Sequence, residues 1–521
     1  MKRVLFSVTD KSGIEEFGKG LLNLFPQLEI IASGGTAATL EKAGIPHTCI
    51  SKITQYPECF DGRVKTLHPA IHGGILFRRG VDEEEAKRLG TQPIDLVVCN
   101  LYAFNPNKKR EELAASMDIG GPTMIRAACK NYISVAIVVD PSDYQPLLEE
   151  LAQGPLSLAT RERLTLRALK LSAAYEKKIA DSFEGNLSSF QLENERKLSY
   201  GENPDQEGWV YSFTNQPGIA SAKVLGGKPL SYNNYEDASQ AFYALQRVQE
   251  MNAVGIVKHG GLCGFATGKT LRQAFQKAWE GDSKSAYGSI VAFSREVGEE
   301  FCEELKSRFV EVLLAPSFAP EFIAWAAKAK PSLRLLEVRY DEISPRLYRG
   351  ISGGMLVQTP KKELSAIVEK YFQPLNGKVG VATKRQPKEN QAGLFGFAIA
   401  AVQSVKSNAI VLVREYEPSQ YQLVGVGGGQ PNRVDSLQRL AVPKAIENLE
   451  KEGGDLHQAL GQLVLASDGF FPFPDSVAAA ASLGIQTFLQ PGGSVQDNEV
   501  IKEADERGLC MIFTGQRYFN H

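Results

Sequence analysis

The 521-residue sequence lacks any long apolar run, and its charges nearly cancel. A membrane-spanning helix needs about 20 consecutive apolar residues, so no such helix is predicted. A formal net charge of −2 argues against a protein that binds nucleic acid or a membrane surface through a general positive field. We therefore expect small-molecule partners, with no nucleic acid and no membrane. The opening residues, Met1–Val8, predict a first strand and not a signal peptide.

Cysteine and histidine are scarce and scattered. The seven cysteines have no C-x-x-C spacing, which predicts reduced thiols in a cytoplasmic protein. His68 and His72 are four residues apart, but Pro69 lies between them and no acidic residue completes a zinc-binding pattern. Polar loop residues near a site are favoured over a metal site, and no metal is predicted to be required.

The length predicts about three domains of roughly 150 residues each. Short apolar runs alternate with amphipathic stretches over the first 150 residues, and this βαβα rhythm predicts an α/β fold with a parallel sheet. The predicted elements include a strand over Leu96–Cys99 and helices over Ile14–Leu24, Pro122–Ala128 and, in the second half, Asp237–Met251. The predicted boundaries give a first domain over 1–150, a helical linker region over 151–198, and two α/β subdomains over 199–360 and 361–521.

Two polar clusters follow the first two predicted strands. Thr9–Gly13 comes after the first strand, and Ser33–Thr36 follows the second strand and opens a helix. Ligands of parallel sheets bind beyond the carboxyl ends of the strands, and the free amides of a helix start favour an anion. A phosphate site and a capped helix start without a ligand are both compatible with this pattern.

A further set of polar residues could supply charge stabilisation and proton transfer. Lys65, Tyr102, Asp118 and Lys130 combine cations, a phenol and a carboxylate in the first 150 residues, and no acylating nucleophile accompanies them. Each of these residues taken singly is also compatible with a surface ion pair or a helix cap.

One basic dipeptide stands out in the second half of the chain. The apolar run Val254–Val257 predicts a buried strand, and Lys258-His259 follow it at a glycine-rich turn. A histidine can accept a proton there and a lysine can stabilise developing negative charge. A solvated turn that happens to be basic is the alternative. Gly427-Gly428-Gly429 does not fit a dinucleotide fingerprint, because the acidic residue and the βαβ spacing are not convincing.

Several motifs of the first half carry a resemblance to a known family. They are Ser7–Lys11, Ser33–Ala37, Asp61–Pro69, His72–Leu76, Asn100–Tyr102, Asp118–Gly121 and Arg126–Ala128. Together they resemble the cyclohydrolase half of the bifunctional purine biosynthesis protein family, which joins an IMP cyclohydrolase to a phosphoribosylaminoimidazolecarboxamide (AICAR) formyltransferase. The resemblance implies a methylglyoxal-synthase-like fold for this half.

The same resemblance implies roles for residues of the first half. Nucleotide contacts are implied at Thr9, Asp10, Lys11, Ser33, Gly34, Gly35, Thr36, Arg63, Lys65, Thr66, Cys99, Asn100, Asp118 and Ile119. Lys130 matches the proton-transfer lysine of the family. By analogy, Lys65 and Tyr102 stabilise the oxygen during ring closure of formyl-AICAR, and Asp118 and Lys130 manage protons at the attacking nitrogen.

The second half resembles the formyltransferase part of the family from about Tyr200 onward. The matching motifs include Tyr200–Pro204, Leu230–Asn234, Val257–His259, Lys406–Val411, Arg433–Ser436, Phe470–Phe473, Gln490–Ser494 and Phe513–Arg517. The resemblance implies two cytidine-deaminase-like subdomains, but the zinc signature of true deaminases is absent from the sequence. It also implies a homodimer, because the formyltransferase sites of the family are composite.

The implied site residues of the second half fall into two groups. His259 is implied as the general base, Lys258 as the group that stabilises the transferred formyl oxygen, and Asn408 as a further catalytic residue. Contacts to substrate or folate are implied at Tyr200, Gly288, Glu311, Arg433, Phe470, Asp475, Ser494 and Arg517. The implied formyl donor is 10-formyltetrahydrofolate.

The second half departs from the family pattern at several positions. Ser199 and Asp205 stand where the family has an arginine and a histidine. Gly260-Gly261-Leu262 replace Ala-Asn-Pro after the histidine, and Tyr287 and Ser289 replace a phenylalanine and a glycine.

The resemblance of both halves predicts formyl transfer to AICAR followed by ring closure to IMP. The alternatives are a cyclohydrolase with a reduced or altered second half, a nucleotide-sensing module, and a second half that serves only as a scaffold.

Overall fold

The computed structural model describes residues 1–57, 59–60, 64–105, 108–184, 192–213, 216–341, 344–360 and 368–521. The chain divides into two compact units, Met1–Ser189 and Phe190–His521. Of the predicted site residues, Arg63 lies outside the described residues.

The first unit is built on a parallel sheet. Its strands are β1 (Arg3–Ser7), β2 (Glu29–Ala32), β3 (Thr48–Cys49), β4 (Leu96–Cys99) and β5 (Ala136–Val138). They lie in the order β3-β2-β1-β4-β5, and every pair is parallel. The central strands are apolar along nearly their whole length because both of their faces are buried.

Helices cover both faces of this sheet. They are α1 (Ile14–Leu24), α2 (Gly34–Lys42), α3 (Ile50–Thr54), α4 (Pro69–Leu76), α5 (Glu83–Leu89), α6 (Arg110–Ala115), α7 (Gly120–Lys130), α8 (Tyr144–Gln153) and α9 (Leu158–Glu184). Helix α9 packs against α7 and β5, and its Ala168 is fully buried in the core. Much of the segment predicted as a linker, 151–198, therefore contributes to the core of the first unit.

The second unit contains a long mixed sheet. Its strands are β8 (Lys223–Gly226), β9 (Ala253–Lys258), β10 (Gly261–Thr267), β11 (Ser289–Phe293), β12 (Val310–Ala315), β13 (Arg334–Glu337), β16 (Gly380–Val381), β17 (Ile410–Glu417), β18 (Gln420–Gly427), β19 (Val464–Ser467), β20 (Thr487–Gln490) and β21 (Cys510–Phe513). Two separate hairpins accompany it, β6 (Leu192–Lys197) with β7 (Trp209–Phe213) and β14 (Leu347–Ile351) with β15 (Gly354–Gln358).

The order of this sheet contains the same arrangement twice. One half runs β8-β13-β12-β11-β9-β10 and the other runs β16-β21-β20-β19-β17-β18. In each half, two parallel pairs are flanked by antiparallel pairs in the same sequence. The halves join where β10 pairs antiparallel with β18. The turn between β9 and β10 consequently lies at the same edge of the sheet as the start of β17 and the carboxyl ends of β19, β20 and β21.

Helices pack on both faces of the mixed sheet as well. They are α10 (Tyr232–Gln246), α11 (Leu271–Gly281), α12 (Glu300–Lys306), α13 (Pro320–Ala329), α14 (Ala392–Val402), α15 (Arg433–Asp435), α16 (Val442–Glu452), α17 (Leu456–Gly461), α18 (Asp475–Ser482) and α19 (Asp497–Glu506), with a π-helical stretch over Ser436–Ala441. The predicted α/β class and the parallel first sheet are confirmed. The predicted subdomain division at 361 falls on undescribed residues, 361–367, and stays a prediction.

Within the described ranges, every helix is too short or too polar to span a membrane. All seven cysteines are described, and each is unpaired.

Candidate active sites

The carboxyl ends of β1 and β4 are tied together by one side chain. The Asn100 Oδ1 atom accepts hydrogen bonds from the backbone amides of Thr9, at 2.6 Å, and Asp10, at 3.1 Å. Its Nδ2 atom donates to the Asp10 carbonyl at 2.9 Å. Because β1 and β4 are neighbours, Asn100 fixes the predicted nucleotide-contacting loop from the adjacent strand.

The second predicted loop is fixed in a similar way. The hydroxyls of Ser33 and Ser7 lie 3.0 Å apart across the ends of β1 and β2. The Thr36 hydroxyl accepts from the Val8 amide and donates to the Val8 carbonyl, both at 3.1 Å. Ser33 and Thr36 are both buried, so the two loops form one rigid edge.

A cation lies close to the start of α2. A methyl group on Gly35 would stand 3.7 Å from the Lys11 ammonium, so this cation lies over the first turn of the helix. Ser33 makes no side-chain hydrogen bond to cap α2, which leaves the first amides of Gly34 and Gly35 to a ligand. An ammonium together with free helix-start amides is a suitable environment for a phosphate.

Asp118 holds the start of α7 against the neighbouring strand end. Its carboxylate accepts from the Gly121 amide at 2.9 Å and from the Tyr102 amide at 3.3 Å. Its own backbone amide donates to the Tyr175 hydroxyl at 2.8 Å. Tyr175 lies on α9, a helix that sequence analysis treated as a linker, so this contact was missed. Burial raises the pKa of the Tyr175 phenol, which favours its neutral form.

Two glycines permit this close packing. A methyl group on Gly121 would stand 2.7 Å from the Asp118 carboxylate, and one on Gly120 would stand 2.5 Å from the Thr66 hydroxyl. Both distances are shorter than side chains tolerate, so Thr66, Asp118 and the start of α7 converge only because these residues are glycines. Tyr102 and Ile119, which lie beside Asp118 at the start of α7, are both exposed.

The structure does not bring Lys130 to this group. Lys130 ends α7, whereas Asp118 precedes its start, and eleven helical residues separate the two ends by about 15 Å. Lys65, by contrast, directly precedes the buried Thr66. Within one chain, the predicted ring-closure residues therefore divide into a group around Asp118 and a distant Lys130.

Lys130 instead lines an open groove of about 1140 Å³ between α4, α7 and α9. The groove begins near Leu67 and Pro122 and also contains His72 and Arg126. Burial lowers the pKa of His72, and its Nε2 atom has no hydrogen-bond partner among the described residues. His68 accepts a hydrogen bond from the Ala70 amide and caps α4. His68 thus has a structural role at the start of α4, and His72 lies within that helix and not in a loop.

Cys99, one of two buried cysteines in the first unit, does not have a reactive thiol. Burial, with a smaller contribution from Asp118, raises the pKa of the Cys99 thiol well above its ordinary value. Since the thiolate is the nucleophilic form, Cys99 is suited to packing at the end of β4. In the parts of the chain that are described, no three His, Cys, Asp or Glu side chains form a metal-binding group. The expectation that no metal is required stays a prediction.

In the second unit, Lys258 and His259 lie at the β9–β10 turn. The His259 backbone adopts a left-handed conformation, with φ of 53°. Its amide donates to the Asp237 carboxylate at 3.0 Å, and the Lys258 ammonium donates to the Tyr287 carbonyl. A methyl group on Gly288 would stand 3.7 Å from that ammonium, so Gly288 lies beside it.

Glu311 lies two strands away from this turn at the same edge. It accepts a hydrogen bond from the Asn234 side chain at 2.9 Å, and Arg334 lies 3.7 Å from the same carboxylate. Tyr200 is partly exposed and lies close enough to Arg334 to affect the pKa of the Arg334 guanidinium. Burial of Arg334 has the larger effect and lowers that pKa. The structure therefore gathers Tyr200, Lys258, His259, Gly288 and Glu311 in one region, which we call the lysine–histidine cluster.

A second group surrounds the start of β17. Asn408 accepts from the Arg433 guanidinium at 3.0 Å, and the same guanidinium is paired with the fully buried Asp468 at 2.8 Å. Arg433 also donates to the Phe470 carbonyl at 3.1 Å. We call this group the Asn408 cluster.

The remaining predicted residues lie near the carboxyl ends of β19, β20 and β21. Asp475 begins α18, Ser494 accepts a hydrogen bond from the Gln496 amide, and Arg517 lies over the Phe519 ring at 5.1 Å. The Asn408 cluster and the lysine–histidine cluster share one edge of the sheet. Three strand spacings separate β9 from β17, which corresponds to about 14 Å.

These features define two candidate enzyme sites of different construction, one at the sheet edge of each unit. Comparison with known proteins gives the family. Residues 128–444 match the family model described as the AICARFT/IMPCHase bienzyme, and residues 13–123 match the MGS-like domain model.

Full-length relatives support the same family as these models. The chain is 40% identical over 533 residues to the bifunctional purine biosynthesis protein PurH of Staphylococcus carnosus, and 40% identical over 544 residues to that of Streptococcus pneumoniae. It is 39% identical to PurH of Streptococcus mutans over 543 residues. Each comparison covers 100% of both chains.

The chain belongs to the AICARFT/IMPCHase bienzyme family. It is a bifunctional enzyme of purine biosynthesis that transfers a formyl group from a folate donor to AICAR and closes formyl-AICAR to IMP. The predicted function is confirmed, and neither the family match nor the relatives favour a cyclohydrolase-only enzyme.

Proposed function

We propose that the edge of the first unit closes the ring and that the edge of the second unit transfers the formyl group. The observation that carries this division is the construction of the two edges. The first offers free helix-start amides and the Lys11 ammonium to a phosphate. The second offers an imidazole and an ammonium at one turn, His259 and Lys258.

For ring closure, the nucleotide phosphate would bind at Lys11 and the start of α2, with Thr9, Asp10, Ser33, Thr36 and Asn100 shaping the pocket. The carboxamide nitrogen then attacks the formyl carbon, and water leaves. Because this attack is intramolecular, orientation supplies much of the acceleration. Lys65 and Tyr102 stabilise the formyl oxygen. Asp118 orients Tyr102 by accepting a hydrogen bond from its backbone amide.

For formyl transfer, we assign His259 as the base that accepts the proton of the attacking AICAR amine. Lys258 stabilises the oxygen of the formyl group as it passes from 10-formyltetrahydrofolate, which we propose as the donor. Asn408 and Arg433 would contact substrate or folate, together with Phe470, Asp475, Ser494 and Arg517.

We further propose that the active form is a cytoplasmic homodimer. The separations within one chain support it. Lys130 lies about 15 Å from the start of α7. Strand β9, which His259 follows, and strand β17, which Asn408 precedes, are three strand spacings or about 14 Å apart. A second copy of the chain can supply the missing partner in each case.

Mixing two inactive variants tests the shared site. His259→Ala and Asn408→Ala enzymes, each inactive in formyl transfer, are unfolded together and refolded as a mixture. If one site takes His259 and Asn408 from different copies, mixed dimers contain one intact site, and activity returns to about a quarter of the wild-type value. Refolding each variant alone is the control. A mixture that stays inactive would place both residues of each site in one chain.

The assignment of activities is tested with the unmodified enzyme. AICAR with 10-formyltetrahydrofolate should yield IMP, and formyl-AICAR alone should also yield IMP. IMP from formyl-AICAR only would contradict the formyl-transfer assignment.

A further inference from the structure

The turn that carries His259 has an unusual backbone. His259 and Gly260 are consecutive left-handed residues, with φ of 53° and 70°. Glycine adopts this conformation readily, but a residue with a Cβ atom does so at a cost. Another glycine, Gly261, follows, so the local sequence alone does not fix the direction in which the imidazole points. Some other part of the structure must hold the turn.

The carboxylate of Asp237 makes that contact. Its Oδ2 atom accepts from the His259 amide at 3.0 Å, and its Oδ1 atom accepts from the Gly260 amide at 2.6 Å. One planar, charged acceptor therefore engages both left-handed residues at once, which fixes their orientation more strictly than two separate bonds would.

Asp237 is itself held on a rigid element. It lies in the second turn of α10, whose start is closed by a reciprocal capping box between Ser231 and Asn234. Asn234 precedes Asp237 by three residues on the same helix face and donates to Glu311. The start of α10 thereby positions both Glu311 and the His259 turn.

We propose that Asp237 is the positioning residue for His259 and sets the direction of the imidazole through the backbone of the turn. Asp237 bonds to the amides, so it acts through His259 and not on the substrate. This role rests on the proposed function of His259 as the base. A carboxylate is needed because asparagine offers one acceptor oxygen and places an amide donor against the second N–H group.

The test compares Asp237→Asn with Glu236→Gln. Glu236 is the neighbouring, exposed carboxylate on the same helix and is a matched control for loss of one charge. We expect Asp237→Asn to lower kcat for formyl transfer by about 10- to 100-fold, since small misplacement of a reacting group is costly. The KM for AICAR should stay within about threefold, because substrate binding is not what the bond supports. Ring closure of formyl-AICAR should be unchanged.

A second readout follows the turn directly. Hydrogen exchange at the His259 and Gly260 amides should become faster in Asp237→Asn and not in Glu236→Gln, because one acceptor is lost. A kcat within twofold of the control, or unchanged exchange, would overturn the inference. Equal losses in formyl transfer and ring closure would also contradict it, because they would show a general loss of folded protein.

His259→Ala, assayed in parallel, separates this inference from the proposed function. Normal formyl transfer in His259→Ala would overturn the assignment of the base. Loss of transfer in His259→Ala with a normal rate in Asp237→Asn would overturn only the positioning role.

Discussion

At the edge of the first sheet, neighbouring strand ends are bonded directly to one another, whereas in the second unit a helix holds the turn that carries the chemistry. Asn100, which follows β4, bonds to the backbone after β1, and the hydroxyls of Ser7 and Ser33 lie 3.0 Å apart at the ends of β1 and β2. In the second unit, Asp237 on α10 supports the His259 turn. The parallel edge is thus fixed by many short contacts, and the hairpin turn depends on one carboxylate.

The two sites are therefore sensitive to different kinds of substitution. The first site tolerates no added volume, because Gly120 and Gly121 lie against Thr66 and Asp118. The His259 turn has open space, since a methyl group on Gly260 would meet no atom within 4 Å. Crowding should therefore damage ring closure, and loss of a hydrogen bond should damage formyl transfer.

The largest effect expected from crowding is that of Gly121→Ala. The added methyl group would stand 2.7 Å from the Asp118 carboxylate and 2.7 Å from the Leu101 side chain, so the carboxylate must move from its present position. We expect ring closure of formyl-AICAR to fall by about 100-fold, with formyl transfer unchanged. Gly396→Ala is the control, because a methyl group there meets no atom within 4 Å. If Gly121→Ala closes the ring at the control rate, the conclusion that the first site tolerates no added volume is wrong.

A smaller effect is expected when the first site loses a hydrogen bond and gains no volume. Tyr175→Phe leaves the buried Asp118 amide without its 2.8 Å acceptor, which costs about 1–3 kcal/mol. We expect ring closure to slow by about tenfold, measured against Tyr132→Phe on the loop after α7. An unchanged rate would show that the bond from α9 does not support the first site. A loss larger than that of Asp237→Asn in formyl transfer would contradict the contrast, because the first site would then also depend on a single hydrogen bond.

Sequence patterns predicted the first unit well because its structure is local. Helix α1 and strand β4 have the predicted bounds, and Ile14–Leu24 shows the apolar periodicity of a helix that covers a sheet. The predicted helix over Pro122–Ala128 extends to Gly120–Lys130, since glycine at a helix start is a poor signal. The position of Lys130, at the far end of that helix, follows from the helix length.

Contacts between distant parts of the chain could not be predicted. The Asp118–Tyr175 bond joins residues 57 apart, and nothing in either local sequence indicates the pairing. The joining of the two sheet halves through β10 and β18 is equally non-local. One missed feature did have a signal. Helix α10 was predicted from Asp237 but begins at Tyr232, and Ser231 with Asn234 three residues later resembles a capping box.

The most direct test of the account measures both half-reactions of His259→Ala in one preparation. His259 lies in the second unit, at a turn held by Asp237, and none of the first site's described contacts involves it. We expect IMP formation from AICAR and 10-formyltetrahydrofolate to fall by about 1000-fold, while ring closure of formyl-AICAR proceeds at the wild-type rate. Loss of both reactions would contradict the conclusion that the two sites are separate. Formyl transfer at the wild-type rate would contradict the assignment of His259 as the base.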